Sequence, residues 1–409
     1  MAVDCSTICL PISKDAYLAL IDSPQAFRRW LDAAFRDCPE LFPEAFAQGY
    51  TLKDDRTSAK LGLRLRRIAC KATGQAFTVR PSFVLPYMAG WTDEVEKPLF
   101  LRRFGVPFWA LARVFGHDPM YWYRLEVSLG RNSIVGTTVR RVDIPADLLA
   151  DEHHQRCDGE KVFIATVVAE GCCLGACVID ASDETGLTEG YGVFQQETHD
   201  LDPGYTPQTV NTDGWTATRL AWAALFPVVV ILRCFLHGWL SIRDGCKKHP
   251  QFQVLSEKVW HAYHAADRRA FAQRLRRLRE WARQALSGEI LERTLRLCSR
   301  SQEYGLAYAH AGGHRTSTML DRVMRGMNGY FVGCQRLHGS PEATRLHSRA
   351  WALLHNFAPW GPETQRANGW HSPAERLNQF RYHDNWLHNL LVSASLAGYR
   401  HRNDPPHNP

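Results

Sequence analysis

Long apolar runs are missing from this 409-residue sequence. The most apolar segment, Leu225 to Leu240, is broken by Pro227, Arg233 and His237 and is short for a bilayer, so no membrane span is expected. The opening Met1-Ala2-Val3-Asp4 has no basic stretch leading into an apolar one, so no secretory leader is expected and a cytoplasmic location follows. Zinc-knuckle cysteines are lacking as well: the 12 cysteines are scattered, and no two have the two-residue spacing of such a site. Cys172, Cys173 and Cys177 fall in an apolar strand pattern, where a buried free thiol is the plain reading.

What is present describes an ordinary globular chain, 45% hydrophobic and 22% charged, long enough for two or three domains. The net charge of +7 favours a polyanionic partner. The 13 tryptophans also offer material for a stacking surface, although most tryptophans are core residues.

Along the chain, Ile12 to Ala47 has helical periodicity through Phe27, Trp30, Leu31 and Phe35. Leu61 to Ile68 alternates apolar with basic residues. After a Thr73-Gly74 turn, Ala76 to Arg80 completes a hairpin whose exposed face is expected to carry Arg64, Arg66, Lys71 and Arg80, as a phosphate contact or simply a solvated basic face. From Lys97 to Glu126, short helical patterns are separated by Gly105 and by Gly116-His117-Asp118, with Asp118 as N-cap and Pro119 at the first helical position. This spacing suits a helix-turn-helix with Met120 to Glu126 as recognition helix. Tyr121, Tyr123 and Arg124 would reach a groove, and Arg131, Arg140 and Arg141 would hold the backbone. The competing reading is a plain three-helix packing unit.

Asp143 to Ala146 reads as a linker. Beyond it come a strand from Leu148 to Gln155, an Asp158-Gly159 turn, a strand from Lys161 to Val168, a Glu170-Gly171 turn and a strand from Cys173 to Ile179. A helix from Thr185 to His199 follows, then the strand beginning at Thr209, a helix from Thr216 to Phe226 and a β-branched strand from Val228 to Leu232. Arg233 to His237 is expected to close the sheet. Asp213 ends the Thr209 strand, a position where α/β sheets place chemistry. Three hairpin-linked strands followed by helix, strand, helix and strand is the order of the ribonuclease H-like fold. In that order an acid on the first strand, Asp151, lies beside one on the fourth, Asp213. Asp180, ending the third strand, competes for the first role. Leu255 to Leu286 then forms a helical stretch with an Arg-rich face that includes Arg274 and Arg277, available to guide DNA or to remain solvated. A later helix is capped by Ser317 or Thr318 and has Asp321 in its first turn. Trp351 to Phe357 and Pro373 to Leu396 add further helix, and Arg400 to Pro409 is expected to be a disordered tail.

Taken together, Asp151-Glu152 with Asp158-Gly159-Glu160-Lys161-Val162-Phe163, Asn211-Thr212-Asp213-Gly214-Trp215, the Cys234-x-x-His237 spacing, His314 to Arg322, Ser372 to Phe380 and Tyr382 to Asn389 resemble a DDE transposase of bacterial insertion elements with a Mutator-like layout. The resemblance covers roughly residues 97–400. It implies an α/β architecture: an RNase H-like catalytic domain (146–400) with a helical insertion at about 240–312, preceded by an α+β N-terminal region (1–96) and a helix-turn-helix region (97–145). It further implies two Mg²⁺ or Mn²⁺ ions held by Asp151, Asp213 and Asp321 for DNA cleavage and strand transfer. The partners would be terminal inverted repeats and target DNA, bound by a homodimer or higher oligomer beside the nucleoid. The family's third acid is usually glutamate, so Glu375 and Glu303 are candidates beside Asp321. Cys234 and His237 are secondary site candidates. The alternatives are a non-catalytic DNA-binding protein derived from a transposase and an RNase H-like nuclease.

Overall fold

The computed structural model describes residues 5–334 and 337–399; the tail from Arg400 lies outside the described residues. The chain is mixed α/β with two mixed sheets.

The first sheet is built from β1 (Thr7–Leu10), β2 (Tyr50–Ser58), β3 (Leu63–Cys70) and β4 (Ala76–Pro81), in the order β1-β4-β3-β2. Between β1 and β2 lie α1 (Lys14–Ile21) and α2 (Pro24–Asp37), capped by Ser13 and Ser23 and facing Tyr17, Phe27 and Leu31 inward. The β3–β4 hairpin forms as its alternation predicts. β1 and β2 were not legible, because β1 is four residues long and β2 is a polar edge strand carrying Lys53, Asp54, Asp55 and Arg56. The expected basic face is partly neutralised: Arg64 pairs with Asp22 and Asp55, and Arg66 with Asp55 at 3.7 Å. Arg80, expected on that exposed face, is instead buried at 6% exposure, because it donates inward to the Val84 carbonyl.

Four helices follow: α3 (Thr92–Arg102), α4 (Phe108–Phe115), α5 (Pro119–Leu129) and α6 (Ile134–Thr138). Gly105 and Gly116 take left-handed φ values of 76° and 77° at the breaks, and Asp118 caps α5 by accepting from the Met120 N–H at 2.7 Å.

The second sheet comprises β5 (Asp147–Cys157), β6 (Glu160–Ala169), β7 (Cys172–Ile179), β8 (Thr209–Thr212) and β9 (Val230–Arg233), in the order β7-β6-β5-β8-β9. β5, β6 and β7 are antiparallel, whereas β8 runs parallel to both β5 and β9. The turn pairs Asp158-Gly159 and Glu170-Gly171 all have positive φ, as tight two-residue hairpins require. Helices α7 (Glu184–Leu201) and α8 (Thr216–Leu225) cover one face through Tyr191, Phe194 and Trp222. The opposite face is closed by α14 (Thr318–Gly333) and α15 (Pro341–Phe357), through Leu320, Met327 and Trp351. Burial on both faces is why β6 and β7 read as continuous apolar runs.

Between β9 and α14 stand α9 (Phe235–Cys246), α10 (Phe252–Tyr263), α11 (Arg268–Ala285), α12 (Gly288–Ser299) and α13 (Ser301–Gly305), packed around their own core of Phe235, Trp239, Leu255, Phe271 and Leu275. Two expectations are corrected. The stretch from Leu255 to Leu286 is two helices, parted where Asp267 caps α11 through the Ala270 N–H at 2.8 Å. Arg233 to His237 does not close the sheet as one segment: Arg233 ends β9 and His237 already belongs to α9. The chain finishes with α16 (Pro362–Asn368), α17 (Pro373–Asn378) and α18 (Trp386–Ser393). Leu353, Leu354, Phe357, Leu390 and Leu391 from this end complete the core of the first sheet.

Candidate acidic site at the strand ends

The β5–β8 ladder pairs Asp147 with Thr209 and Leu149 with Asn211. Continued by two residues, the same register sets Asp151 level with Asp213, just past the end of β8. Gly214 turns the chain there with φ +90°, and a side chain at this position would run into the Arg233 guanidinium. Asp213 accepts from the Trp215 N–H at 2.6 Å, which fixes its carboxylate at the start of α8.

Asp321 comes to the same place through sulfur. Cys234, between β9 and α9, accepts from the Ser317 N–H at 3.2 Å, and the Ser317 hydroxyl donates to both Asp321 carboxylate oxygens at 3.1 and 3.2 Å. Ser317 is the N-cap residue of α14, but its side chain serves Asp321 instead of the helix backbone. On α9, His237 Nε2 stands 4.0 Å from Asp151 Oδ2.

The electrostatics follow from crowding like charges in a partly closed space. Burial pushes the Asp151 carboxyl up to about 6, and the charges of Asp213 and Asp321 add to the shift. Contact with Cys234 raises His237 to about 9 against the effect of burial, with Asp151 and Asp213 contributing. Burial would raise the Cys234 thiol, but His237 and Ser317 outweigh it and bring the thiol below its ordinary value. Glu152, whose role sequence reasoning missed, is buried and accepts from Tyr191 OH at 2.7 Å and Thr218 Oγ1 at 2.9 Å. Burial lifts it to about 7. Its signal lay in the alternation of β5, which turns Glu152 to the face opposite Asp151.

The other acids go elsewhere. Asp180 is exposed at the end of β7, two strands away from β5. Glu303 is engaged by Arg233 at 2.9 Å. Glu375 is buried on α17, which packs against β7 at the far edge of the sheet, and accepts from the His371 N–H at 3.3 Å.

Of the groove-contact candidates on α5, only Arg124 is exposed. Tyr121 is half-buried, stacked on His117 at 4.3 Å, and Tyr123 packs edge-on against Phe108 at 5.7 Å. Arg131 donates to Tyr87 OH at 3.0 Å. On α11 the apolar stripe is buried as expected; Arg277 projects freely, whereas Arg274 is half-buried and donates to the His261 carbonyl at 2.6 Å.

Among the described residues, no three His, Cys, Asp or Glu side chains are drawn close enough to hold a metal ion as placed. By donor type, three mutually repelling carboxylates still suit a hard divalent cation. No helix among the described residues is long and apolar enough to cross a membrane. In comparisons with known proteins, no family model matches the chain, and no curated protein matches it.

Proposed function

We propose that the chain is a DDE-type transposase that binds the ends of a DNA element and carries out strand cleavage and strand transfer. The observation that carries this reading is the placement of Asp151 on β5 and Asp213 just past the end of the adjacent parallel β8, with Asp321 at the start of a late helix held by Ser317, which bonds to Cys234 beside β9. The sheet order β7-β6-β5-β8-β9 supports an RNase H-like catalytic domain, interrupted by a helical insertion with its own core. Helices α3 to α5 are then a helix-turn-helix whose reading surface is narrower than its sequence suggests, with Arg124 as the exposed cation of α5.

In this reading Asp151, Asp213 and Asp321 would hold the Mg²⁺ or Mn²⁺ ions. Such ions, when bound, activate a hydroxyl nucleophile and stabilise the leaving oxygen of a phosphodiester. The chain's own residues prepare the site. Trp215 N–H and Ser317 orient two of the carboxylates, and His237 offsets part of their charge. The exposed arginines of α11 supply a positive face that follows a DNA backbone.

One observation favours a second reading, a DNA-binding protein of transposase origin that no longer cuts: the three carboxylates, as placed, do not form a closed metal-binding group. A single experiment separates the two. Purified wild type should cleave end-labelled duplex only with Mg²⁺ or Mn²⁺, and Asp213→Ala should abolish cleavage while retaining duplex binding. Metal-dependent cleavage by Asp213→Ala rejects the assignment, and binding without cleavage by wild type selects the second reading.

A further inference from the structure

Where the first sheet meets α5 there is a pocket of about 110 Å³, room for one tetrahedral oxyanion. Three arginines line it, Arg56 from β2, Arg80 from β4 and Arg131 from the turn after α5, and its lining contains no Asp or Glu. Thr7 and Thr78, partners across the β1–β4 ladder, add two hydroxyls. This is unlike the rest of the sheet, where Arg64 and Arg67 are matched by Asp22, Asp55 and Asp54. Arg56 has no ion pair among the described residues.

The most informative of the three is Arg80. It is 6% exposed, one of its terminal nitrogens donates to the Val84 carbonyl, and its Nε–H is buried with no protein acceptor. A charged donor buried without an acceptor is unfavourable, and the positive charge of Arg80 has no carboxylate around the pocket to offset it. At the mouth, Arg131 is steadied by the hydroxyl of Tyr87 at 3.0 Å and lies 5.5 Å from its ring centre. Tyr87 is 62% exposed and has φ +58°, so an aromatic edge in a left-handed conformation stands at the opening.

We infer that this pocket is an anion site that receives one backbone phosphate of duplex DNA and so seats the N-terminal sheet on the duplex next to α5. The choice of DNA over a free phosphate rests on the reading proposed above. It is supported by the exposed position of Arg56 among the lining residues and by the net charge of +7.

The test uses the full chain and an unrelated-sequence duplex titrated over a range of salt. An Arg56→Gln/Arg131→Gln double variant should lower the slope of log affinity against log salt by about 0.9, the value for one lost phosphate contact, and do so equally for different sequences. Arg64→Gln, outside the pocket and already paired, should leave the slope unchanged. If the double variant does not fold, Arg56→Gln alone, at an exposed position, carries the same expectation. An unchanged slope in a folded variant overturns the inference. So does a melting-temperature rise of wild type in inorganic phosphate, relative to chloride of equal ionic strength, that the pocket variants lose while their DNA slope stays constant; that result assigns the pocket to free phosphate. Wild type that shows the pocket-dependent slope but cleaves no DNA refutes the proposed function and leaves this inference standing. Cleavage with a slope indifferent to Arg56 and Arg131 does the reverse.

Discussion

At the scale of single residues, the acidic site stores repulsion that pH can read. Asp151 is raised from its ordinary 3.8 to about 6 by burial and by Asp213. Between these values the unfolded chain has released a proton that the folded chain still holds, so stability falls as pH rises through the window. Asp151→Asn should make the fall of the melting temperature between about pH 4 and about 6 shallower, leaving the decline from about 4.5 to about 7 that Glu152 produces. A variant curve with the wild-type slope throughout would contradict the assigned repulsion. Saturating Mg²⁺ should stabilise wild type more than Asp151→Asn at neutral pH. Ser317 presents a smaller case: Ser317→Ala removes the hydroxyl that holds Asp321 and should lower stability by roughly 1 kcal/mol, read by urea unfolding. Asp151 and Asp213 were legible as residues because each sits in an apolar strand pattern. Ser317 read as a helix cap, since nothing local reveals that its hydroxyl serves a side chain instead of the backbone.

Elements are locked to one another by a buried polar cluster between α3, α5, α14 and α15. Arg102 and Glu126 form a fully buried ion pair; Arg102 also reaches Tyr330 OH at 3.2 Å, and His347 Nε2 lies 3.3 Å from Glu126. Glu126→Ala strands Arg102 without its counter-ion and should destabilise the fold by about 3–5 kcal/mol, measured by chemical denaturation. Burial alone would lower the His347 pKa, but Cys334 and Glu126 lift it to about 9. Its contribution is complete below pH 6.5 and is lost as pH rises through about 9, so His347→Gln should flatten the alkaline side of the stability curve. Beside this cluster, Gly105 passes so close to α14 that an added Cβ would lie 2.7 Å from the Tyr330 carbonyl oxygen. The sequence predicted Glu126 on a DNA-reading helix. An acid that ends fully buried against an arginine 24 positions earlier has no local signature, since helical periodicity marks faces but not what covers them.

The whole molecule is closed by its two ends. Leu353, Leu354, Phe357, Leu390 and Leu391 pack into the core of the N-terminal sheet. At roughly 1.5–3 kcal/mol for each large apolar side chain buried, these five exceed much of the 5–15 kcal/mol that stabilises a typical domain. A chain ending at Ser340 should therefore fail to fold cooperatively, seen as loss of the thermal transition in circular dichroism and rapid proteolysis of residues 5–129. A protected N-terminal fragment would contradict this. By itself the sequence determined most of the elements other than β1 and β2, the hairpin turns of the second sheet and the basic stripe of α11, because these arise from periodicities of 2 and 3.6 residues and from glycine and acidic turn chemistry. Only the tertiary structure decided that Asp321 is held by Ser317 beside Cys234 on the Asp151 and Asp213 side of the sheet, that Asp22 and Asp55 pair with Arg64 and Arg66, and that Arg56, Arg80 and Arg131 gather around one pocket. Such proximities join residues far apart in the chain, and they are set by strand register and core packing, which no local pattern encodes.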